Sequence, residues 1–438
     1  MSNNRPQSDD RQSQMMMAST THARRRKATV MTTSSSAQLE LFGAVVNAFS
    51  RNPDFVQTKQ LYADVENTTG RNLSQRCAIG RAAVLRSPGQ RRVRWIQQTL
   101  KKLGLVEPVA SSRGTWRLTP LGKQKLTAAA PRAVMIACST DLGLALWSSH
   151  QDAFSCIDMP ITLSLCSPPY PLANKRAYGG PTRDQYLDFI CSALEPIVRN
   201  LRQGGSIVLN LSNEIFETKS PARSMYREHL VIALHERLGL HKMDDLVWEN
   251  PCKPPGPTYW SSIHRYHLTA TWESVLWMTN SPVDIIADNR RVLQPHTEAQ
   301  RKLIARGGEG REASYGDGAY TLRPHSFGRK THGRIPRNIL RYAHNCPEKA
   351  ELARFARTQE LPVHGATMPL ALADFLVRYL SAPDDLVVDP FGGWLTTAKA
   401  AEQNGRRWLV NELMREYVRV GLERLREGPG FVAGTLFT

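Results

Sequence analysis

Ile161-Thr162-Leu163-Ser164-Leu165-Cys166 runs without a break into Ser167-Pro168-Pro169-Tyr170. The first six residues read as a short buried strand, and the prolines end it in a turn. The same pattern recurs along the chain. Gly204-Gly205 precedes Ser206-Ile207-Val208-Leu209-Asn210; Leu386-Val387-Val388 leads into Asp389-Pro390-Phe391-Gly392-Gly393; Arg407-Trp408-Leu409-Val410 leads into Asn411-Glu412. Buried strands that end in Gly, Pro and polar residues, with helical stretches between, predict an α/β fold. The expected form is a doubly wound, mostly parallel sheet that binds ligands at the carboxyl ends of its strands.

The chain has 438 residues, enough for two or three domains. Its 57 Lys and Arg outnumber 39 Asp and Glu, a formal net charge of +18 that favours a polyanionic partner such as a phosphate backbone. The seven cysteines form no CxxC pair, which argues against a zinc ribbon or disulfide scaffold and fits a reducing compartment. No metal site is expected. No apolar run approaches the roughly 20 residues that span a bilayer, and the basic N-terminus lacks the apolar core of a secretion signal. A cytoplasmic protein of a prokaryote, away from membranes, is the expectation.

Residues 1–36, rich in Ser, Gln, Asn and Arg, predict a disordered basic tail in which Arg24-Arg25-Arg26-Lys27 either brushes phosphates or is simply solvated. Residues 37–130 differ. Leu39, Phe42, Val46 and Phe49 recur at helical spacing, and in 91–105 Val93, Ile96, Leu100 and Leu103 line one helical face while Arg91, Arg92, Arg94, Lys101 and Lys102 occupy the rest. Gly104 stops that helix, Ser111–Gly114 reads as a turn, and Thr115-Trp116-Arg117-Leu118-Thr119 alternates like a strand. Thr127–Pro131 is an Ala-rich linker, and 131–438 reads as a second domain. Within it 253–361 is a long basic insertion of weak periodicity that contains His264-Arg265 and Arg329-Lys330.

Two stretches carry candidate chemistry. The prolines of 167–170 fix the backbone and remove donors, leaving acceptors. A Ser167 hydroxyl and a Pro168 carbonyl can hold the two hydrogens of an exocyclic amine, and Tyr170 can stack on a base extruded from a duplex. The bland alternative is a proline turn. In the second stretch, glycines after a strand let a ligand approach the backbone. Glu412, ending the next strand, is placed for ribose hydroxyls. The absence of a G-K-[ST] ending disfavours a P-loop and favours a nucleoside cofactor.

In this order, the two stretches resemble the β class of amino DNA methyltransferases, and in particular the PvuII-type cytosine-N4 enzymes, over about 140–430. Lys175-Arg176-Ala177-Tyr178-Gly179, Pro221-Ala222-Arg223-Ser224, Trp248-Glu249-Asn250-Pro251 and His364 followed by Met368-Pro369-Leu370 extend the resemblance. It implies S-adenosyl-L-methionine as cofactor, held by Asp389, Pro390, Phe391, Gly392, Gly393 and Glu412, with Thr396 and Thr397 either touching it or capping the next helix. It implies direct methyl transfer to a flipped base by Ser167, Pro168, Pro169 and Tyr170, without a cysteine nucleophile, so that Cys156 and Cys166 are core thiols. Double-stranded DNA is the implied partner, met by Lys175 and Arg176 at phosphates and by the target-recognition region 253–361. A cognate restriction endonuclease is a candidate partner.

The segment around Trp95–Gly104 and Gly114–Thr119 resembles the winged-helix domain of Mrr-type restriction proteins, which implies DNA contact by Arg91, Arg92 and Arg94.

Two positions depart from the family pattern. Trp394-Leu395 stands where a Ser and a small residue are usual, so that a ring covers or obstructs the adenosine. Asn210 stands where PvuII-type enzymes carry an Asp, with Glu214 a candidate substitute. A further cofactor strand is expected within 134–153, with Asp141 or Asp152 toward the adenine. Ser167 leans toward cytosine, because adenine-N6 enzymes usually carry Asp or Asn there. A non-catalytic DNA-binding regulator is the alternative of another class.

Overall fold

The computed structural model describes residues 41, 44, 45, 48, 49, 52, 55–79, 84–102, 104–119, 127–155, 157–172, 179–434 and 437. The expectations for 1–36, Leu39, Phe42, Val46, Leu103, Cys156, Lys175 and Arg176 lie outside these residues.

In the N-terminal part, β1 (Val56–Gln57), β4 (Val106–Pro108) and β5 (Thr115–Leu118) form an antiparallel sheet in the order β1-β5-β4. Between them come the helix Thr58–Thr69, a hairpin of β2 (Cys77–Ile79) and β3 (Val84–Arg86), and the helix Pro88–Lys102. The last helix is amphipathic, as its spacing dictates. Val93, Ile96 and Leu100 are buried against Val56, Leu61 and Trp116, while Arg91, Arg92 and Arg94 are exposed. It starts three residues earlier than expected because Pro88 suits a first helical turn. Left-handed Gly104 ends it, and its N–H reaches back to Lys101 O (2.9 Å).

The linker meets the second domain directly. Ala129 N–H donates to Leu413 O (2.9 Å) and Arg415 N–H to Thr127 O (3.0 Å). That domain is built on a ten-stranded sheet. Its strands are β6 (Met135–Ser139), β7 (Gly143–Trp147), β8 (Ile161–Cys166), β9 (Leu201–Leu211), β10 (His241–Glu249), β11 (Trp272–Thr279), β14 (Ile339–Arg341), β15 (Leu386–Asp389), β16 (Arg407–Glu412) and β17 (Val432–Ala433). β12 (Ala313–Tyr315) and β13 (Tyr320–Leu322) form a separate hairpin.

The order is β14-β10-β11-β9-β8-β15-β16-β7-β6-β17. The central run β9-β8-β15-β16-β7 is parallel throughout, and β11 and β6 flank it antiparallel. The strand expected within 134–153 is β7, which runs parallel to β16. Alternation along β15 feeds two cores. Val387 faces the helices Leu370–Leu380 and Thr396–Gln403, and Leu386 and Val388 face Tyr186–Arg199 and Tyr226–Leu238.

The stretch 253–361 is not a single insertion. β11 lies inside the sheet, β14 extends its edge, and Leu352, Ala353 and Ala356 of the helix Pro347–Thr358 are buried. The Ser274–Met278 apolar run is a core strand between two polar excursions, 250–271 and 280–338. Among the described residues no helix is long and apolar enough to cross a membrane.

Leu376 is fully buried where the helix Leu370–Leu380 meets the sheet. Leu376→Ala is expected to cost about 2–5 kcal/mol, measured as a lowered urea midpoint.

Candidate active site

Three loops leave the carboxyl ends of adjacent strands. Ser167–Tyr170 follows β8, Pro390–Gly393 follows β15, and Glu412 closes β16. Because β15 lies between the other two, the loops share one cleft of about 700 Å³. Ser167, Pro168, Pro169, Tyr170, Pro390, Phe391, Gly393 and Glu412 all border it.

The other residues expected at the cofactor are placed differently. Asp389 points into the protein, where its Oδ1 accepts from Phe391 N–H (2.9 Å) and its Oδ2 from the Thr397 hydroxyl (2.7 Å). Thr397 also reaches Leu165 O (3.2 Å), joining β15's loop to β8, and Thr396 reaches Met368 O (3.4 Å). Neither threonine borders the cleft, and neither caps the helix, whose N-cap is Leu395. Both sit in its buried first turn.

Gly392 is required by packing rather than by a ligand. A Cβ there would lie 2.3 Å from Val410 Cγ1. Gly393 adopts φ +52°, and its N–H donates to Glu412 Oε2 (2.7 Å). Trp394 does not cover the cleft. It is 1 % exposed and packs among Leu352, Ala356, Met414 and Tyr417, because Leu395 takes a left-handed turn after it (φ +55°).

Glu412 Oε1 accepts from Met414 N–H (2.8 Å). Each carboxylate oxygen has two lone pairs, so hydroxyl donors can still be accommodated. Burial raises the carboxyl from 4.5 to about 7, against the pull of those N–H groups. Burial likewise raises Asp389 to about 7.

Three rings border the cleft with Glu412, and two of them, His150 and Phe189, the sequence did not single out. His150 lies 5.1 Å from Phe189 and 5.3 Å from Phe391, centroid to centroid, and Phe189 lies 5.6 Å from Phe391. Burial lowers the His150 pKa, favouring the neutral ring. Asp152 and Asp141 do not border the cleft. Asp152 sits in the helical turn that Ser149 caps, where its carboxylate accepts from the Ser149 hydroxyl (2.7 Å) and from Arg132 N–H (2.9 Å), and Asp141 packs against Gly430. Ser149, His150 and Gln151 border the cleft instead. No Lys or Arg is among the described lining residues. A flat heterocycle carrying a diol fits this set of groups better than a triphosphate does.

At the other end, Ser167 Oγ lies 3.1 Å from Tyr170 Oη. Beneath them Asn210 Nδ2 lies 3.1 Å from Tyr170 Oη and 3.1 Å from Glu273 Oε2. Burial, and next the Glu273 charge, push the Tyr170 hydroxyl well above its ordinary pKa, so it stays protonated. Glu214 does not take the position expected of it. Its carboxylate pairs with Lys253 Nζ (2.7 Å), which also pairs with Glu273 (3.3 Å). The carboxylate nearest the motif is Glu273, which the sequence reading missed because it lies two strands from β8. His264, Arg265, Arg329 and Lys330 are exposed. Cys166 is buried, with its thiol pKa pushed up by burial.

A family model described as DNA methylase matches residues 161–423, which include the loops after β8, β15 and β16. The chain belongs to the N6/N4 DNA methylase family. The type II methyltransferase M.PvuII of Proteus hauseri is 30% identical over 269 residues, covering 60% of this chain and 76% of the relative. The DNA adenine methyltransferase YhdJ of Escherichia coli (strain K12) is 39% identical over 62 residues, or 14% of this chain and 21% of that one. The solved PvuII DNA methyltransferase (cytosine-N4-specific) shares the fold, with a TM-score of 0.52 and 24% identity over 66% of this chain and 88% of that one. The DNA methylase of this family uses S-adenosyl-L-methionine as its methyl donor.

Hydroxyls that donate to Glu412 favour its ionised form. Cofactor affinity is therefore expected to rise as pH increases through about 7. Stability of the cofactor-free protein has the opposite sign. A raised carboxyl pKa contributes stability that is present below the unfolded value and lost as pH rises through about 7. Glu412→Gln should weaken cofactor binding about tenfold, as expected for loss of a charged hydrogen-bond acceptor, and flatten its pH dependence in calorimetry. Part of the stability slope should remain through Asp389.

Proposed function

We propose that this chain methylates the exocyclic N4 amine of cytosine in double-stranded DNA, at a specific sequence, by direct transfer to a flipped base. The observation that carries the reading is the group facing the amine position. It is the Ser167 hydroxyl, backed by Tyr170, at the mouth of the cleft that Glu412 and Phe391 border. The likeness to M.PvuII supports the same base.

The cofactor supplies a methyl group activated on a sulfonium. The residues of this chain do the rest. Glu412 takes the ribose hydroxyls, while Phe391, Phe189 and His150 bound the slot for the adenine. Pro390 and Gly393 shape the wall between them. Ser167 Oγ and the Pro168 carbonyl hold the amine, whose lone pair is otherwise delocalised into the ring. Pro169 stiffens the loop, and the half-buried Tyr170 ring offers a stacking face. The chemistry rests on orientation and placed acceptors. Of the two features that favoured a non-catalytic regulator, Trp394 and Asn210, the first loses its force because Trp394 turns into a core away from the cleft.

DNA recognition is assigned to two regions. In the first, residues 41–119, the β1-β5-β4 sheet and the helix Pro88–Lys102 support a winged-helix reading, with Arg91, Arg92 and Arg94 exposed and Trp95 beside them. In the second, His264, Arg265, Arg329 and Lys330 stand exposed on 250–271 and 280–338. A cytoplasmic location and a cognate restriction endonuclease follow from the same reading.

The test is incubation of the full chain with labelled cofactor and genomic DNA, then nucleoside mass spectrometry. N4-methylcytosine is expected, with Ser167→Ala reducing kcat about 100-fold or more, the scale of one lost transition-state hydrogen bond. N6-methyladenine in its place would reassign the base. Transfer that survives Ser167→Ala would overturn the role of Ser167.

A further inference from the structure

We propose that Glu273 is a positioning residue that sets the direction of the Ser167–Tyr170 hydrogen-bond chain and receives the proton released by the target amine. The inference rests on the reading above and adds a group from β11 to it.

The argument is one of donors and acceptors. An ionised carboxylate only accepts, and the Asn210 amide nitrogen only donates. Asn210 Nδ2 has two hydrogens, and its two nearer partners, both at 3.1 Å, are Tyr170 Oη and Glu273 Oε2, while Ser167 Oγ lies farther off at 3.5 Å. Tyr170 Oη therefore receives one hydrogen from Asn210, and its own is aimed at Glu273 Oε2, 3.5 Å away. Between Ser167 and Tyr170 either oxygen could donate on geometry alone. With the Tyr170 proton directed to Glu273, Ser167 must be the donor. Its hydrogen points inward, and its lone pairs are left for the amine in the cleft. A hydroxyl that instead donated into the cleft would oppose the amine hydrogens.

Glu273 is held for this task. Lys253 Nζ lies 3.3 Å from Oε1, on the side away from Tyr170. Glu214 shares that lysine at 2.7 Å. The charged and titratable neighbours of Glu273 are thus Lys253, Glu214 beyond it, Tyr170 and Tyr226. Val275 pairs with Asn210 across β11 and β9, so Glu273, two residues before Val275, presents its side chain on the face that Asn210 occupies.

The same chain disposes of the proton. The target nitrogen bonds the methyl carbon, and the broken carbon–sulfur bond leaves its electron pair on sulfur. The nitrogen then sheds one proton to Ser167 Oγ as the Ser167 proton moves to Tyr170 Oη and the Tyr170 proton moves to Glu273. Ser167 and Tyr170 end as hydroxyls, and Glu273 ends as the neutral acid.

The experiment compares the full-length wild type with Glu273→Gln for methyl transfer to DNA from tritiated S-adenosyl-L-methionine. A kcat about 100-fold lower is expected, within the range for a lost proton acceptor. The KM for DNA and the calorimetric cofactor affinity should stay unchanged, and the acid limb of the kcat–pH profile should disappear. Adding Asn210→Asp to Glu273→Gln places a carboxylate beside Tyr170 Oη and should restore kcat at least about tenfold, the low end of what a positioned proton acceptor contributes.

Wild-type kcat and an intact acid limb in Glu273→Gln would overturn the proposal. So would a loss matched by weakened cofactor binding or a lower melting temperature, which would assign Glu273 a structural role. A wild-type chain that transfers no methyl group to any DNA would overturn the proposed function itself, whereas wild-type transfer with an unaffected variant would overturn this inference alone.

Discussion

Two carboxyl groups taken out of water organise one edge of the cleft. Asp389 and Glu412 are 4 % and 8 % exposed, and an unpaired carboxylate at such a depth is strongly disfavoured. Each needs fixed donors, and the chain supplies them by folding its loops round the oxygens. Phe391 N–H and the Thr397 hydroxyl meet Asp389, and Gly393 N–H and Met414 N–H meet Glu412. These four bonds fix the path of 390–393 and of 412–414. Thr397, whose hydroxyl also lies 3.2 Å from Leu165 O, sets the result against the strand that leads into Ser167. The Ser167 end and the Glu412 end are therefore held to each other through the floor of the cleft.

What could be seen in the sequence follows from the range of the interactions. β8, β15 and β16 were legible because each is an apolar run stopped by Pro, Gly or an acidic residue, and these are local signals. The basic helix at 88–102 was legible for the same reason. The side-chain directions were not. Asp389, Thr396 and Thr397 carry the composition of a ligand loop, yet they serve its scaffold, and only the tertiary packing distinguishes the two. Trp394 looked obstructive because it directly follows Gly393, which borders the cleft. The left-handed turn at Leu395 sends it elsewhere.

The misread stretch 253–361 illustrates the other limit. β11 is surrounded by basic and aromatic loops, and it lies between β10, the strand before it, and β9, some sixty residues earlier in the chain. Placing Glu273 beneath Tyr170 requires knowing both pairings. His150 and Phe189 were hidden in the same way, since they meet Phe391 from two helices, His150–Phe154 and Tyr186–Arg199, that precede it by some two hundred residues.

The neighbouring position of β8 and β15 has a kinetic meaning. Cys166 and Leu386 are joined by more than two hundred residues, and closing so long a loop is slow relative to local helix and hairpin formation. During synthesis the Ser167 loop emerges long before the strand it must lie against. The basic N-terminal unit and the β8–β9 layer can be complete while the cofactor edge does not yet exist. A half-made chain thus has the parts to meet a polyanion but not to hold a methyl donor, and the enzyme assembles its site last.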